Sequence, residues 1–170
     1  EAAQLATLPF TFDLADEASI ARSAQAIGAA GPVDLVIVAT GMLQGAGPQM
    51  PERSWRFLDA DATGRVFAIN TFGPALIAKH ILPHMRRDGR SVFAALSARV
   101  GSIADNRSGG WHSYRASKAA LNMLVRNFAI EFTRQNSSGI VVAIHPGTVD
   151  TALSRPFQRS VPQGSLFAPE

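Results

Sequence analysis

The sequence predicts an α/β fold, a doubly wound parallel sheet with helices between the strands. Three apolar runs carry this expectation: "VDLVIVATG" (residues 33–41), "SVFAALS" (91–97) and "IVVAIHPG" (140–147). Each is short and nearly continuous, as in strands buried on both faces of a parallel sheet. Segments with helical spacing separate them. Each run also ends in small or turn-forming residues, Gly41, Ser97 and Pro146-Gly147. Ligands of such sheets bind at the carboxyl ends of the strands.

The remaining elements follow in order. "ATLPFTF" (residues 6–12) is a short strand candidate closed by Asp13, and Asp16 caps an Ala-rich helix that fades at "GAAGP". A Gly/Pro loop, "GMLQGAGPQMP", follows the first buried run. Residues 61–85 read as one long helix with Val66, Ile69, Gly73, Ile77 and Ile81 on one side and Pro74 inside it. A loop rich in Gly, Ser and Asn leads into "WHSYRASKAALNML", where Leu121, Leu124, Val125, Phe128 and Phe132 keep helical spacing until Ser138-Gly139. No internal repeat appears.

The totals narrow the function classes. A chain of 170 residues is one domain by size, and 46% hydrophobic with 17% charged residues describes an ordinary globular protein. The net charge of +3 is scattered and forms no nucleic-acid stripe. No apolar run approaches the ~20 residues of a membrane span, no signal-peptide pattern is present, and cytoplasm is the default expectation. The absence of cysteine excludes disulfides, thiolate metal sites and cysteine nucleophiles. His80 and His84 share a helix face without a third ligand, with Pro83 between them, so no metal site is expected. Met50 stands where the loop would need the third glycine of a dinucleotide fingerprint, and no Gly-x-Ser-x-Gly elbow exists. His145 reads as a packed strand-end residue, while Trp111 and Phe157 suit a substrate pocket or packing equally well. The start at Glu1 and the stop at Pro169-Glu170, which resembles the first turn of a helix, suggest an interior piece of a longer protein.

The strand ends carry further motifs. "VATG" resembles the Asn-Asn-Ala-Gly motif of the short-chain dehydrogenase/reductase family, with the asparagines replaced, and "INTFG" the helix segment holding that family's active-site asparagine, here Asn70. "YRASK" matches its Tyr-x-x-x-Lys, "HPGTVDT" its Pro-Gly-x-x-x-Thr, and "FDLADEAS" the turn whose aspartate, here Asp13, touches the adenine ring. These segments stand in the family's order and spacing, and the run from Leu96 to Asn122 further resembles the branch with bacterial C-factor and sniffer-type carbonyl reductases. The resemblance implies a Rossmann-type sheet and one partial NAD(P)-binding domain over residues 1–170. The first βαβ unit and the C-terminal strand and helix of the family pattern have no counterpart. It implies an NAD(P)-dependent oxidoreductase interconverting a carbonyl and an alcohol, with NADP or NAD as cofactor because the segment that selects between them is absent. It also implies a small-molecule substrate, no nucleic acid or membrane partner, and a homo-oligomer. The rival is a non-catalytic signalling or scaffold protein that keeps the fold, as in the C-factor branch.

The chemistry assigns roles. An unperturbed tyrosine, with pKa about 10, titrates too far from neutrality to serve as acid and base. Lys118, one helical turn beyond Tyr114, is expected to lower that pKa. By resemblance Lys118 also anchors the nicotinamide ribose. The resemblance places Asp13, Leu14, Ala39, Thr40, Gly41, Tyr114, Lys118, Pro146, Gly147, Val149 and Thr151 at the cofactor. It gives Asn70 a backbone carbonyl that holds a water, and Pro74, which has no N–H to offer the carbonyl four residues back, is expected to keep that carbonyl out of the helix ladder. The family's catalytic serine position holds Ala98; Ser97 is taken as the carbonyl polariser and Ser102 is the second candidate. With its first strands absent, the chain alone is expected to bind dinucleotide weakly, to leave residues 6–12 without a partner strand and to expose an apolar sheet edge.

Overall fold

The three apolar runs form one parallel sheet in the order β1 (Leu35–Val38), β2 (Ser91–Leu96), β3 (Gly139–Ile144). The computed structural model describes residues 9–43, 50–151, 154–160 and 164–168. Val38 stands opposite Ala95, which stands opposite Ala143, so the three carboxyl ends open at one edge. Helix α1 (Glu17–Ala29) precedes β1, α2 (Ala60–Phe67) and α3 (Gly73–Ile81) connect β1 to β2, and α4 (His112–Thr133) connects β2 to β3. Asp16 caps α1 as expected, its carboxylate accepting the Ala18 N–H at 2.9 Å. A short parallel pair, β4 (Thr148–Val149) with β5 (Leu166–Phe167), lies beyond the sheet.

Strand alternation sorts the side chains onto two faces. Val38, Phe93, Ala95 and Val141 point to the face packed by Ala78 and Ile81 of α3 and Leu121, Val125 and Phe132 of α4. The opposite face carries Leu35 and Ile37, 57% and 58% exposed, together with exposed Ile140 and Ile144. The expectation of strands buried on both faces therefore fails at the outer strands β1 and β3 and holds in the middle of β2, where Ala94 on this second face is 2% exposed. Among the described residues the helices packed into the core all lie on one side of the sheet, which leaves the other apolar face uncovered.

Other expectations also need correction. Residues 9–12 form no strand, and residues 6–8 of that candidate lie outside the described residues. A lone strand has nothing to receive its hydrogen bonds, and among the described residues no partner strand stands beside it. The helix of residues 61–85 is not continuous: a π turn (Ala68–Phe72) joins α2 to α3, and a 3-10 turn (Leu82–His84) ends it. In the π turn the Gly73 N–H bonds to the Ala68 carbonyl, five residues back. Helix α4 stops at Thr133, earlier than Ser138-Gly139. The expected helix start at Pro169-Glu170 and most of the loop after Gly41 (residues 44–49) lie outside the described residues.

Candidate active site

Tyr114 and Lys118 occupy the first turns of α4, where the helix passes the carboxyl ends of β1 and β2. What brings the helix so close is a glycine. A Cβ on Gly101, in the 3-10 turn after β2 (Arg99–Gly101), would lie 2.9 Å from both the carbonyl carbon and the Cβ of Lys118. Only glycine allows that approach. Lys118 is 3% exposed, and its Nζ donates to the Leu96 carbonyl at 2.8 Å. The same Nζ lies 5.9 Å from the centre of the Tyr114 ring.

Asn70, in the π turn, is fully buried and holds the chain after β1 by both ends of its amide. Its Oδ1 accepts the Met42 N–H at 2.7 Å, and its Nδ2 donates to the Met42 carbonyl at 2.7 Å. The same Nδ2 reaches Ser117 Oγ at 3.1 Å, and Ser117 Oγ donates to the Tyr114 carbonyl at 2.8 Å. Thr71 adds a bond from its Oγ1 to the Ser117 carbonyl at 2.9 Å. The kinked helix pair is thus fastened to the Tyr114–Lys118 turn through Ser117. Sequence reasoning missed Ser117 and Thr71, although each adjoins a residue that the motifs mark.

Gly41 faces this cluster. A Cβ there would lie 3.7 Å from Lys118 Nζ and 3.8 Å from Asn70 Oδ1. Beside it, the buried hydroxyl of Thr40 has no hydrogen-bond partner among the described residues. The structure therefore brings together Thr40, Gly41, Asn70, Tyr114 and Lys118, with Ala39 preceding them on the strand end. Pro146 and Gly147 follow β3 at the same edge of the sheet. Val149 pairs with Phe167 in β4, and the Thr151 N–H bonds to Ser154 Oγ at 3.2 Å. Asp13 and Leu14 form the turn before α1. The Asp13 carboxylate accepts the Ala15 N–H at 2.8 Å, and Leu14 packs on Gly73. His80 bonds to Glu17 at 2.9 Å.

Two assignments differ from expectation. Ser97 Oγ donates to Asn122 Oδ1 at 2.6 Å. Asn122 lies two helical turns beyond Tyr114, about 12 Å along the axis at ~1.5 Å per residue. Ser97 shares the strand parity of Phe93 and Ala95, so its side chain goes toward the middle of α4 and not toward the phenol. Ser102, the second candidate, accepts the Asp105 N–H at 3.3 Å in its own loop. The second difference is electrostatic. Burial pushes the Tyr114 phenol above its ordinary value, and burial likewise pulls Lys118 down to about 8. The ammonium is directed at the Leu96 carbonyl, so desolvation outweighs the expected lowering of Tyr114.

An aromatic group flanks the phenol. Trp111 packs edge-on against Tyr114 with ring centres 6.3 Å apart, and against Phe157 at 4.8 Å. Phe157 belongs to the 3-10 segment Arg155–Ser160.

Comparison with known proteins agrees with this arrangement. The family model described as short chain dehydrogenase matches residues 1–161. C-signal of Myxococcus xanthus is 38% identical over 92 residues, covering 54% of this chain and 54% of that protein. The 1-hydroxy-2-glutathionyl-2-methyl-3-butene dehydrogenase of Rhodococcus sp. strain AD45 is 41% identical over 100 residues, 59% of this chain and 42% of that one. A short-chain dehydrogenase/reductase structure from Burkholderia multivorans with bound NADP superimposes with a TM-score of 0.72 at 29% identity, over 84% of this chain and 58% of that one. The chain spans about half the length of these relatives. A Tyr–Lys turn set at the ends of parallel strands β1 and β2 and a family match along nearly all its length lead to one conclusion: the chain belongs to the short-chain dehydrogenase family.

Proposed function

We propose that the intact protein carrying this chain is an NAD(P)-dependent oxidoreductase that interconverts a carbonyl and an alcohol. The observation that carries the reading is the meeting of Lys118 and Asn70 at Gly41, with the Tyr114 ring 5.9 Å from Lys118 Nζ. The residues present fit a dinucleotide there. Gly41 leaves open the space that a Cβ would fill between Lys118 and Asn70, and the Thr40 hydroxyl is buried without a partner among the described residues. NADP bound to the Burkholderia multivorans relative points the same way. Thr40, Gly41, Lys118, Gly147, Val149 and Thr151 would hold the cofactor, with Asp13 and Leu14 at the adenine end. Bound there, the nicotinamide supplies or accepts the hydride.

The chain's own residues move and hold the proton. The Tyr114 phenol gives its proton to the carbonyl oxygen in reduction and takes it back in oxidation. Lys118, with a pKa of about 8, is charged at neutral pH and stabilises the phenolate that forms. Asn70 fixes the backbone at Met42 so that Gly41 stays open. Pro74 has no N–H to return to the Asn70 carbonyl, and we read that carbonyl as the water holder that resupplies protons to Lys118. No hydroxyl stands at Ala98, so Tyr114 alone polarises the substrate oxygen. Ser97→Ala is accordingly expected to keep kcat within about twofold, since that hydroxyl serves Asn122; a fall approaching the 10²-fold of a lost oxyanion donor would return Ser97 to the site.

Trp55, Phe57, Leu58 and Phe72 are each exposed, and Leu58, Phe67 and Phe72 line one surface hollow, which supports a homo-oligomer. Among the described residues no helix is long and apolar enough to cross a membrane. The second reading, a non-catalytic signalling protein, draws on the Ala98 substitution and the likeness to C-signal. The deciding measurement is NADPH oxidation by the intact protein with a panel of aldehydes and ketones. Tyr114→Phe is expected to lower turnover by roughly 10²–10⁴-fold. A folded wild-type protein that binds NADPH and turns over nothing would favour the second reading.

A further inference from the structure

The first turn of α4 carries Tyr114, yet the residue before it cannot cap it. Trp111 stands in the left-handed conformation, φ 51°, unusual for a large side chain, and makes no side-chain cap. The cap comes from Glu52, far away in sequence, in the segment before α2. The Glu52 main-chain carbonyl accepts the Trp111 N–H. One carboxylate oxygen accepts the Ser113 hydroxyl, and the other lies 3.4 Å from the Ser113 N. Thr63 of α2 continues the row, its Oγ1 2.8 Å from Ser113 Oγ. Ser113 has one hydroxyl proton and gives it to Glu52, so Thr63 donates to Ser113. The row therefore runs in one direction, from Thr63 through Ser113 to Glu52.

Three features make this contact more than a surface bond. Ser113 is 3% exposed, so water competes little for it. A carboxylate at a helix N-terminus also meets the positive end of the helix dipole. Gly110, left-handed at φ 64°, turns the chain beside the Glu52 carbonyl oxygen, which a Cβ there would meet at 3.4 Å, an ordinary contact. Tyr114 then sits between two fastened points, Ser113 on the Glu52 side and Ser117 on the Asn70 side. Without the Glu52 carboxylate the Ser113 end keeps only the main-chain bond to Trp111 and loses its side-chain cap, and uncapped helix ends fray.

We propose that Glu52 is a positioning residue of this site, which sets the place of the Tyr114 phenol through Ser113 and touches no substrate itself. The inference rests on the acid–base reading of Tyr114 above. In the intact protein, E52A and S113A are each expected to lower kcat roughly tenfold with the KM for cofactor unchanged, because a small misplacement of a reacting group is felt in the chemical step. The double variant should fall no further than the slower single, since both act through one row. Amide hydrogen exchange across residues 112–118 should quicken in both single variants. Wild-type kcat in E52A and S113A, or fully multiplicative losses in the double variant, would overturn the positioning role. In that case loss of turnover in Tyr114→Phe leaves the acid–base reading standing. If Tyr114→Phe keeps its turnover, that reading falls and exchange alone decides: faster exchange upholds the clamp and unchanged exchange overturns it. Should E52A not fold, S113A alone decides by the same kcat and exchange outcomes.

Discussion

Lys118→Met is expected to abolish turnover and, in the cofactor-free intact protein, to raise stability at pH 7. The two effects share one cause. Lys118 is 3% exposed, and burial pulls its pKa from 10.5 to about 8. At pH 7 the folded protein holds the ammonium charged in a place that disfavours the charge, at a cost of about 3 kcal/mol from the shift. Methionine in turn leaves the Leu96 carbonyl without this donor, an opposing cost of roughly 1–3 kcal/mol. Methionine fills similar space without the charge, so a gain of about 1 kcal/mol is expected at pH 7. Turnover should fall by roughly 10²–10⁴-fold, because no cation remains to stabilise the phenolate.

The pH dependence gives the same prediction a second readout. A lysine whose folded pKa is depressed leaves the unfolded chain binding more protons between about 8 and 10.5, so wild-type stability rises with pH across that window. Tyr114 acts oppositely above its ordinary pKa of 10. Its folded pKa is raised, so the folded state keeps a proton the unfolded state loses, and stability falls as pH rises further. The interval from pH 8 to 10 therefore isolates Lys118. Urea unfolding at several pH values should show a rising slope there that is absent in Lys118→Met. Equal slopes, or a methionine variant less stable at pH 7, would refute the account.

The parts of the fold that obey one local rule were legible in the sequence. β2, β3 and the apolar stripe of α4 follow from residue periodicity, and Asp16 from capping chemistry. The Tyr114–Lys118 pair follows from spacing along one helix. What was illegible depends on parts distant in sequence or on the absence of a neighbour. β1 reads as buried on both faces, yet Leu35 and Ile37 face solvent because burial belongs to the helices around a strand and not to the strand itself. Pro74 marked a disturbance, but not that the ladder would slip into a π turn directed at Ser117. Ser97 was misplaced for an accessible reason: it shares the parity of Phe93 and Ala95, which sends it to the helix layer. Glu52 gave no local signal, since its partner Ser113 lies across two elements of the fold.

Asn70→Ala is expected to destabilise the folded protein by about 2–4 kcal/mol, and the aspartate variant tells why. Asn70 must both donate and accept toward the same residue, taking the Met42 N–H and giving to the Met42 carbonyl. Alanine leaves those two backbone groups and Ser117 Oγ short of partners, at roughly 1–3 kcal/mol for each buried group that water cannot reach. Aspartate keeps the shape and still accepts the Met42 N–H. Its second oxygen then meets the Met42 carbonyl, acceptor against acceptor, and carries charge in a fully buried position. At pH 8 Asn70→Asp should therefore be at least as damaging as alanine. Protonation turns that oxygen into a donor and restores the pattern, so the folded state raises the pKa of the new carboxyl. A raised carboxyl pKa gives stability that is present at low pH and lost as pH rises through the folded value. The deficit of Asn70→Asp against wild type should thus narrow as pH falls, while that of Asn70→Ala stays constant. Urea unfolding of the three proteins across pH 5 to 8 measures both, and an aspartate deficit that ignores pH would show that the amide does not hold Met42 by both its ends.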